Sequence, residues 1–235
     1  MTINIESLSL RLIRIRNFVT GRRVADIGCD HGKLVFDMFE RGLIDYAFVS
    51  DISEPSVNKA VKLLGSAGYP FDYAVADGLD AVKSEYDIDE VVISGMGGLE
   101  IIKILQKNRL NLDRFVLQPQ NNELKLKQYL LKNGYNIVRD EIVRDKHMFY
   151  NVIKVVKTGK RQKLTPFELR FGKDNFGSNM DFIAYLDFLK LKYESMLPMV
   201  PPLKKAEVSR ELKYIDLAYK KWGKRYEKNI TVSKN

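Results

Sequence analysis

Val24-Ala25-Asp26-Ile27-Gly28-Cys29-Asp30-His31-Gly32 decides the fold. Four residues with strand character run into two glycines four apart, after which Lys33-Leu34-Val35-Phe36 opens a helical pattern. That is a strand, a tight turn and a helix start, the first half of a βαβ unit. Working outward, apolar β-branched runs at Tyr46–Ser50, Asp72–Ala76, Glu90–Ser94 and Phe115–Gln118 alternate with helical segments, which predicts a parallel sheet with crossover helices. Tyr135–Val143 and Phe149–Val156 are separated only by Arg144–Met148 and read as an antiparallel pair at a sheet edge, for seven strands in all. Before the first strand, Leu8, Leu12, Ile15 and Val19 mark one face of a leading helix over Ser7–Val19.

The period then changes. Phe182, Leu186, Leu189, Tyr193, Met196 and Val200 step by fours and threes, and Val208, Leu212, Ile215, Tyr219, Trp222 and Tyr226 repeat the steps. Pro198, Pro201 and Pro202 lie between the two seams, so the segments fold back as an antiparallel coiled-coil hairpin. Thr165-Pro166-Phe167-Glu168 has capping-box spacing and starts a short helix upstream of it. Two domains are therefore expected, 1–157 of α/β type and 158–235 helical.

The chain has 235 residues, with 39 Lys and Arg against 30 Asp and Glu, a formal charge of +9. Residues 1–157 carry 22 basic and 21 acidic side chains, and residues 158–235 carry 17 and 9, so nearly all the excess lies in the helical part. Charge confined to one segment suggests a polyanionic partner. No apolar run reaches the roughly 20 residues of a membrane span, and no signal-peptide core is present, so a cytoplasmic protein without a membrane partner is expected. One cysteine, Cys29, and two histidines are too few soft ligands for a zinc centre, and no metal is expected.

The glycine turn departs from a dinucleotide fingerprint. Its middle glycine is missing, and Asp26 and Asp30 stand where a pyrophosphate would sit. Two carboxylates favour a cation, and S-adenosylmethionine carries a sulfonium and an ammonium. Asp51 ends the second strand, where it can accept from ribose hydroxyls, and Asp77-Gly78 follows the third, within reach of an adenine amino group. Gly95, Gly97 and Gly98 around Met96 are expected to keep the acceptor side open, and Gln118-Pro119-Gln120-Asn121-Asn122 supplies amides suited either to a base edge or to a loop and helix cap. No Asn-Pro-Pro-Tyr type motif follows the fourth strand, and no cysteine follows the fourth or fifth. Exocyclic-amine and pyrimidine carbon-5 methylation are thereby disfavoured, whereas a ring nitrogen needs only positioning.

These stretches, with Ser50-Asp51-Ile52, Val75-Ala76-Asp77-Gly78-Leu79, Ile93-Ser94-Gly95-Met96-Gly97-Gly98 and Leu117-Gln118-Pro119-Gln120, resemble the bacterial tRNA (adenine-22-N1)-methyltransferases. By motif the resemblance covers residues 1 to about 157. It implies a class I Rossmann-like domain, a C-terminal coiled-coil domain, S-adenosylmethionine as cofactor and tRNA as partner. It implies that Asp26, Gly28, Cys29, Asp30, His31, Gly32, Asp51, Ile52, Asp77, Gly78, Gly95 and Met96 hold the cofactor, and that Asp26, His31, Met96 and Gln118 approach the reactive methyl or the base. The RNA-binding set is taken as Arg11, Arg14 and Arg22 with Lys204, Lys205, Lys220, Lys221, Lys224 and Arg225, on a monomer. A small-molecule methyltransferase and a noncatalytic RNA-binding adaptor are the competing readings.

Overall fold

A computed structural model describes the backbone of residues 8–232 and the side chains through residue 226. The element order is α1 (Leu10–Arg16), β1 (Arg23–Ile27), α2 (Lys33–Glu40), β2 (Tyr46–Asp51), α3 (Glu54–Ala67), β3 (Phe71–Val75), a 3-10 turn at Ser84–Tyr86, β4 (Glu90–Met96), α4 (Gly98–Gln106), β5 (Arg114–Pro119), α5 (Glu123–Lys132), β6 (Tyr135–Asp145), β7 (Met148–Lys157), α6 (Pro166–Phe171), α7 (Met180–Met196) and α8 (Pro202–Val232). Among the described residues no helix is long and apolar enough to cross a membrane.

The chain packs as two units, Met1–Arg139 with Tyr150–Lys163, and Asp140–Phe149 with Leu164–Asn235. In the first, seven strands lie in the order β3-β2-β1-β4-β5-β7-β6, the Rossmann-like arrangement expected from the alternating pattern. Strands β1 to β5 pair in parallel, with Ala25 facing both Phe48 and Val91, while β7 runs antiparallel to β5, with Leu117 facing Ile153. The central strands are buried on both faces, which is why they read as unbroken runs rather than alternations. Edge strand β3 leaves Tyr73 and Val75 half exposed.

The sequence places β1 correctly and misplaces some ends. The leading helix is shorter than expected, stopping at Arg16 with Asn17 as C-cap, so Val19 falls beyond it, and Ser7 lies outside the described residues. Strand β4 does not end at Ser94: it passes a bulge between Ser94 and Met96, with Gly95 at φ 78°. Bulges re-aim side chains beside sites.

In the second unit, Thr165 and Glu168 form the full capping box of α6. Helices α7 and α8 run antiparallel, since Lys190 meets Asp216 (3.4 Å) while the earlier Asp187 accepts from the later Tyr219 (2.5 Å). Phe182, Leu186, Leu189, Val208 and Ile215 are buried along the expected seams, and Met196 and Tyr226 at the seam ends are exposed. Residues 140–149, at the tip of the β6–β7 hairpin, join this unit through Asn175. This buried amide donates to the Asp140 and Phe171 carbonyls (3.1 and 2.8 Å) and accepts from the Ile142 N–H and Asn179 Nδ2 (2.8 and 2.7 Å). Asn175→Leu removes all four bonds and strands buried backbone groups, so a loss of about 3 kcal/mol is expected. Thermal unfolding of the whole chain, followed by circular dichroism, should show a midpoint about 6–12 °C lower.

Candidate active site

The C-terminal ends of β1, β2 and β4 surround a cavity of about 470 Å³. Gly28 opens it: at φ 78° its N–H bonds the Ser50 carbonyl (2.8 Å), which closes the turn onto β2, and a Cβ there would come within 2.4 Å of the Met96 methyl. Gly28 thus lets Met96 lie against the turn. Gly32, also in the left-handed region, begins α2 and does not line the cavity. A Cβ on it would meet that of Ala60 at 2.9 Å, so its role is turn geometry and packing on α3. The other eleven residues proposed for the cofactor all line the cavity.

Asp26 is the chemically unusual group. It is 2% exposed, its Oδ1 has no hydrogen-bond partner, and burial, with help from Asp51 and Asp30, pushes its carboxyl up to about 7. A buried, unpaired carboxylate facing a cavity is a place for a cation. Asp51 accepts from the N–H of Ser53 (2.9 Å) through one oxygen and of Asp30 (3.3 Å) through the other. Asp77, expected at the adenine, is well exposed and paired with Lys107 (2.8 Å). Gly78 presses on the side chain of Ile104, where a Cβ would approach to 3.0 Å, giving that end of the cavity an apolar wall. The arrangement fits a ligand with a cationic group at Asp26 and polar groups at Asp51 and Asp77.

Cys29 is buried, and its thiol is pushed far up by burial and then by the charges of Asp26 and Asp51, so it is no nucleophile. His31 lines the cavity, and its Nε2 lies between Lys59 Nζ (3.0 Å) and Asp30 Oδ1 (3.4 Å), so the ring is held by two charged neighbours. This arrangement favours a positioning contact for His31 over proton transfer.

Gln118 is not at the cavity surface. It is fully buried in β5, with its Oε1 accepting from Arg11 Nη1 (2.6 Å) and the Gly95 N–H (3.1 Å) and its Nε2 donating to the Pro119 carbonyl (2.9 Å). Gln120, two residues on, does line the cavity, as do Lys33, Glu100 and Ile104. Alternation alone would put Gln120 on the same side as Gln118; the two part because β5 ends at Pro119 and Gln120 lies in the bend beyond it, an end that the sequence pattern does not mark. The glycines at the end of β4 and just beyond it also divide their work: Gly95 lines the cavity, whereas a Cβ on Gly98 would strike the Asn121 carbonyl at 2.7 Å. Gly98 therefore serves close packing on the loop after β5, not acceptor access. Asn122 occupies the N-cap position of α5 without a side-chain capping bond.

Of the residues expected to touch RNA, Arg11 lines the cavity. Arg22 stands just before β1, at the opposite end of the strand, bonded to Asp45 and to the Gly42 carbonyl (2.8 Å). In the helical unit Lys204, Lys205, Lys220 and Lys224 are exposed. Lys221 lies over Phe167 and Phe176 (4.8 and 5.1 Å), and Arg225 donates to the Lys173 carbonyl (3.2 Å).

The family described as a methyltransferase domain matches residues 8–153. A Mycoplasma pneumoniae protein assigned to the tRNA methyltransferases is 31% identical over 176 residues, 73% of this chain and 82% of the other. The tRNA (adenine(22)-N(1))-methyltransferase of Bacillus subtilis is 28% identical over 160 residues, 66% of each chain. A Streptococcus pneumoniae protein assigned as a tRNA (m1A22) methyltransferase, solved with S-adenosyl-L-methionine, superposes with a TM-score of 0.80 at 26% identity over 90% of this chain and 99% of its own.

Proposed function

The chain belongs to the methyltransferase-domain family, and from that premise we propose that it transfers a methyl group from S-adenosylmethionine to N1 of adenine 22 in tRNA. The observation that carries the reading is the unpaired, buried carboxylate of Asp26 beside the Gly28 turn. When bound, S-adenosylmethionine supplies an electrophilic methyl on a sulfonium. Asp26 holds the cationic methionine end, Gly28 lets the backbone pass beneath it, Asp51 takes the ribose hydroxyls and Gly78 with Ile104 packs against the adenine. Met96 and Gly95 bound the side from which the acceptor base enters.

A ring nitrogen brings its own lone pair, so no side chain has to remove a proton before attack, and catalysis is mainly alignment in a water-poor pocket. Asp26 also offsets the positive charge that methylation leaves on the base. Such chemistry needs no Lewis acid, and we take the enzyme as a metal-independent monomer of the cytoplasm. The division of labour follows charge: chemistry in residues 1–157, and much of the RNA grip in 158–235.

The test is nucleoside mass mapping after the protein is incubated with labelled cofactor and tRNA transcripts carrying adenine or guanine at position 22. N1-methyladenosine is expected from the first transcript only. Label in another nucleoside would overturn the regiochemistry. Cofactor binding without turnover on any RNA would point to the adaptor.

A further inference from the structure

Arg11, Gln118 and Gly95 form a set whose function the cofactor site does not absorb. Arg11 comes from α1, yet its Nη1 sits 2.6 Å from Gln118 Oε1 and its guanidinium stacks 5.3 Å over the ring of Tyr150. The same Oε1 accepts from the Gly95 N–H, so one buried amide fixes both the guanidinium and the bulge in β4. A Cβ at Gly95 would lie 3.5 Å from Arg11 Nη1, at ordinary van der Waals contact, so the guanidinium sits directly against the Gly95 backbone.

The location of this set limits what it can hold. The carboxylates assigned to the cofactor stand at the ends of β1, β2 and β3, whereas the partners of Arg11 lie on β4, β5 and β7, the other side of β1 in the sheet order. That is the side from which the acceptor enters. A fixed guanidinium matches anionic oxygens through its forked donors. The base itself becomes cationic on N1 methylation and would be repelled, while the phosphates of the same nucleotide lie one sugar away. We propose that Arg11 is the acceptor-side clamp for a phosphate flanking the target adenosine, and that Gln118 is the positioning residue that aims it. The inference rests on the tRNA methylation reading. The cofactor's carboxylate is the other possible source of anionic oxygens, and the experiment separates the two.

Steady-state kinetics on tRNA across a salt series, with cofactor affinity measured separately by calorimetry, would be compared for wild type, Arg11→Ala, Arg11→Lys, Gln118→Met and the Arg11→Ala/Gln118→Met double variant. Arg11→Ala should raise KM for tRNA about ten-fold or more and lower the slope of log KM against log salt by roughly 0.7–0.9, the signature of one lost phosphate contact. Gln118→Met should reproduce most of the KM effect, and the double variant should be no worse than Arg11→Ala alone. Arg11→Lys should keep the salt slope and recover only part of the KM, since a point charge cannot replace the fork. Cofactor affinity should stay within about two-fold throughout, and melting curves identify a variant that has merely lost its fold. The proposal is overturned if the two single effects multiply in the double variant, or if cofactor affinity falls while KM for tRNA holds. Wild-type turnover on the adenine-22 transcript is the separate control: its absence would remove the tRNA reading, whereas its presence with an inert Arg11→Ala would remove only the clamp.

Discussion

Asp26→Asn should weaken cofactor binding by two orders of magnitude or more, roughly 3 kcal/mol, while making the ligand-free protein more stable in mild alkali. Both effects come from one property. The carboxyl is buried without a partner for Oδ1, and burial, then Asp51, then Asp30 push it from 3.8 to about 7. Between those values the folded protein binds a proton that the unfolded chain does not. The group's contribution is therefore most favourable below about pH 4 and is lost as pH rises to about 7, a change on the order of 4 kcal/mol. Asparagine cannot ionise, so it removes that penalty, and melting temperatures of variant and wild type should separate in favour of the variant as pH rises from about 4 to about 7 and keep a constant gap above it. Cofactor binding runs the other way. A cationic ligand favours the ionised carboxylate and must displace the proton, so wild-type affinity should fall about ten-fold per unit below about pH 7, with proton release on binding. The variant should bind weakly and with a flatter pH profile. Calorimetry in buffers of different ionisation heat checks both, and a variant that binds as tightly as wild type would remove Asp26 from the site.

Why Asp26 was legible in the sequence, and Gln118 only partly so, is a matter of where the partners lie. Asp26 sits near the end of β1, just before a turn whose geometry is local: Gly28 at φ 78°, Gly32 at φ 69° and the following helix are all written within ten residues. The parallel sheet was equally legible, because strands buried on both faces produce unbroken apolar runs. Gln118 is different. Its amide type suggested contact with a base, but its partner Arg11 lies 107 positions earlier, and no local pattern shows that the two meet. The same holds for Gly98, whose close neighbour is the Asn121 carbonyl, and for Asp77, which meets Lys107. Heptad steps gave the seam of α7 and α8, since that contact repeats along each helix. They could not show that residues 140–149 pack with those helices, which depends on non-repeating contacts: Asp174, Asn175, Asn179 and Asp181 bond the hairpin backbone, and Phe149 packs on Tyr185.

Neutralising Lys204, Lys205, Lys220 and Lys224 together, each to Gln, should raise KM for tRNA about a hundred-fold near physiological salt while leaving kcat and cofactor affinity almost unchanged. All four are exposed and lie on α8, in the part of the chain that holds nearly the whole charge excess. Phosphate contacts release counterions, so losing four should lower the slope of log KM against log salt by about 3. A solvated helical face with no RNA contact predicts no change in either quantity, and that outcome would return the helical unit to a purely structural role. Lys221 and Arg225 belong to the same stretch but behave differently on physical grounds. Lys221 rests on the rings of Phe167 and Phe176, and Arg225 holds the Lys173 carbonyl, so both side chains are already committed within the unit. Lys221→Gln should accordingly lower the melting temperature, by the roughly 0.5–1 kcal/mol of a partly exposed cation–π contact, with less effect on the salt slope than any of the four exposed lysines. Charge count alone would rank all six positions equally; what separates them is whether a cation has already found its partner inside the fold.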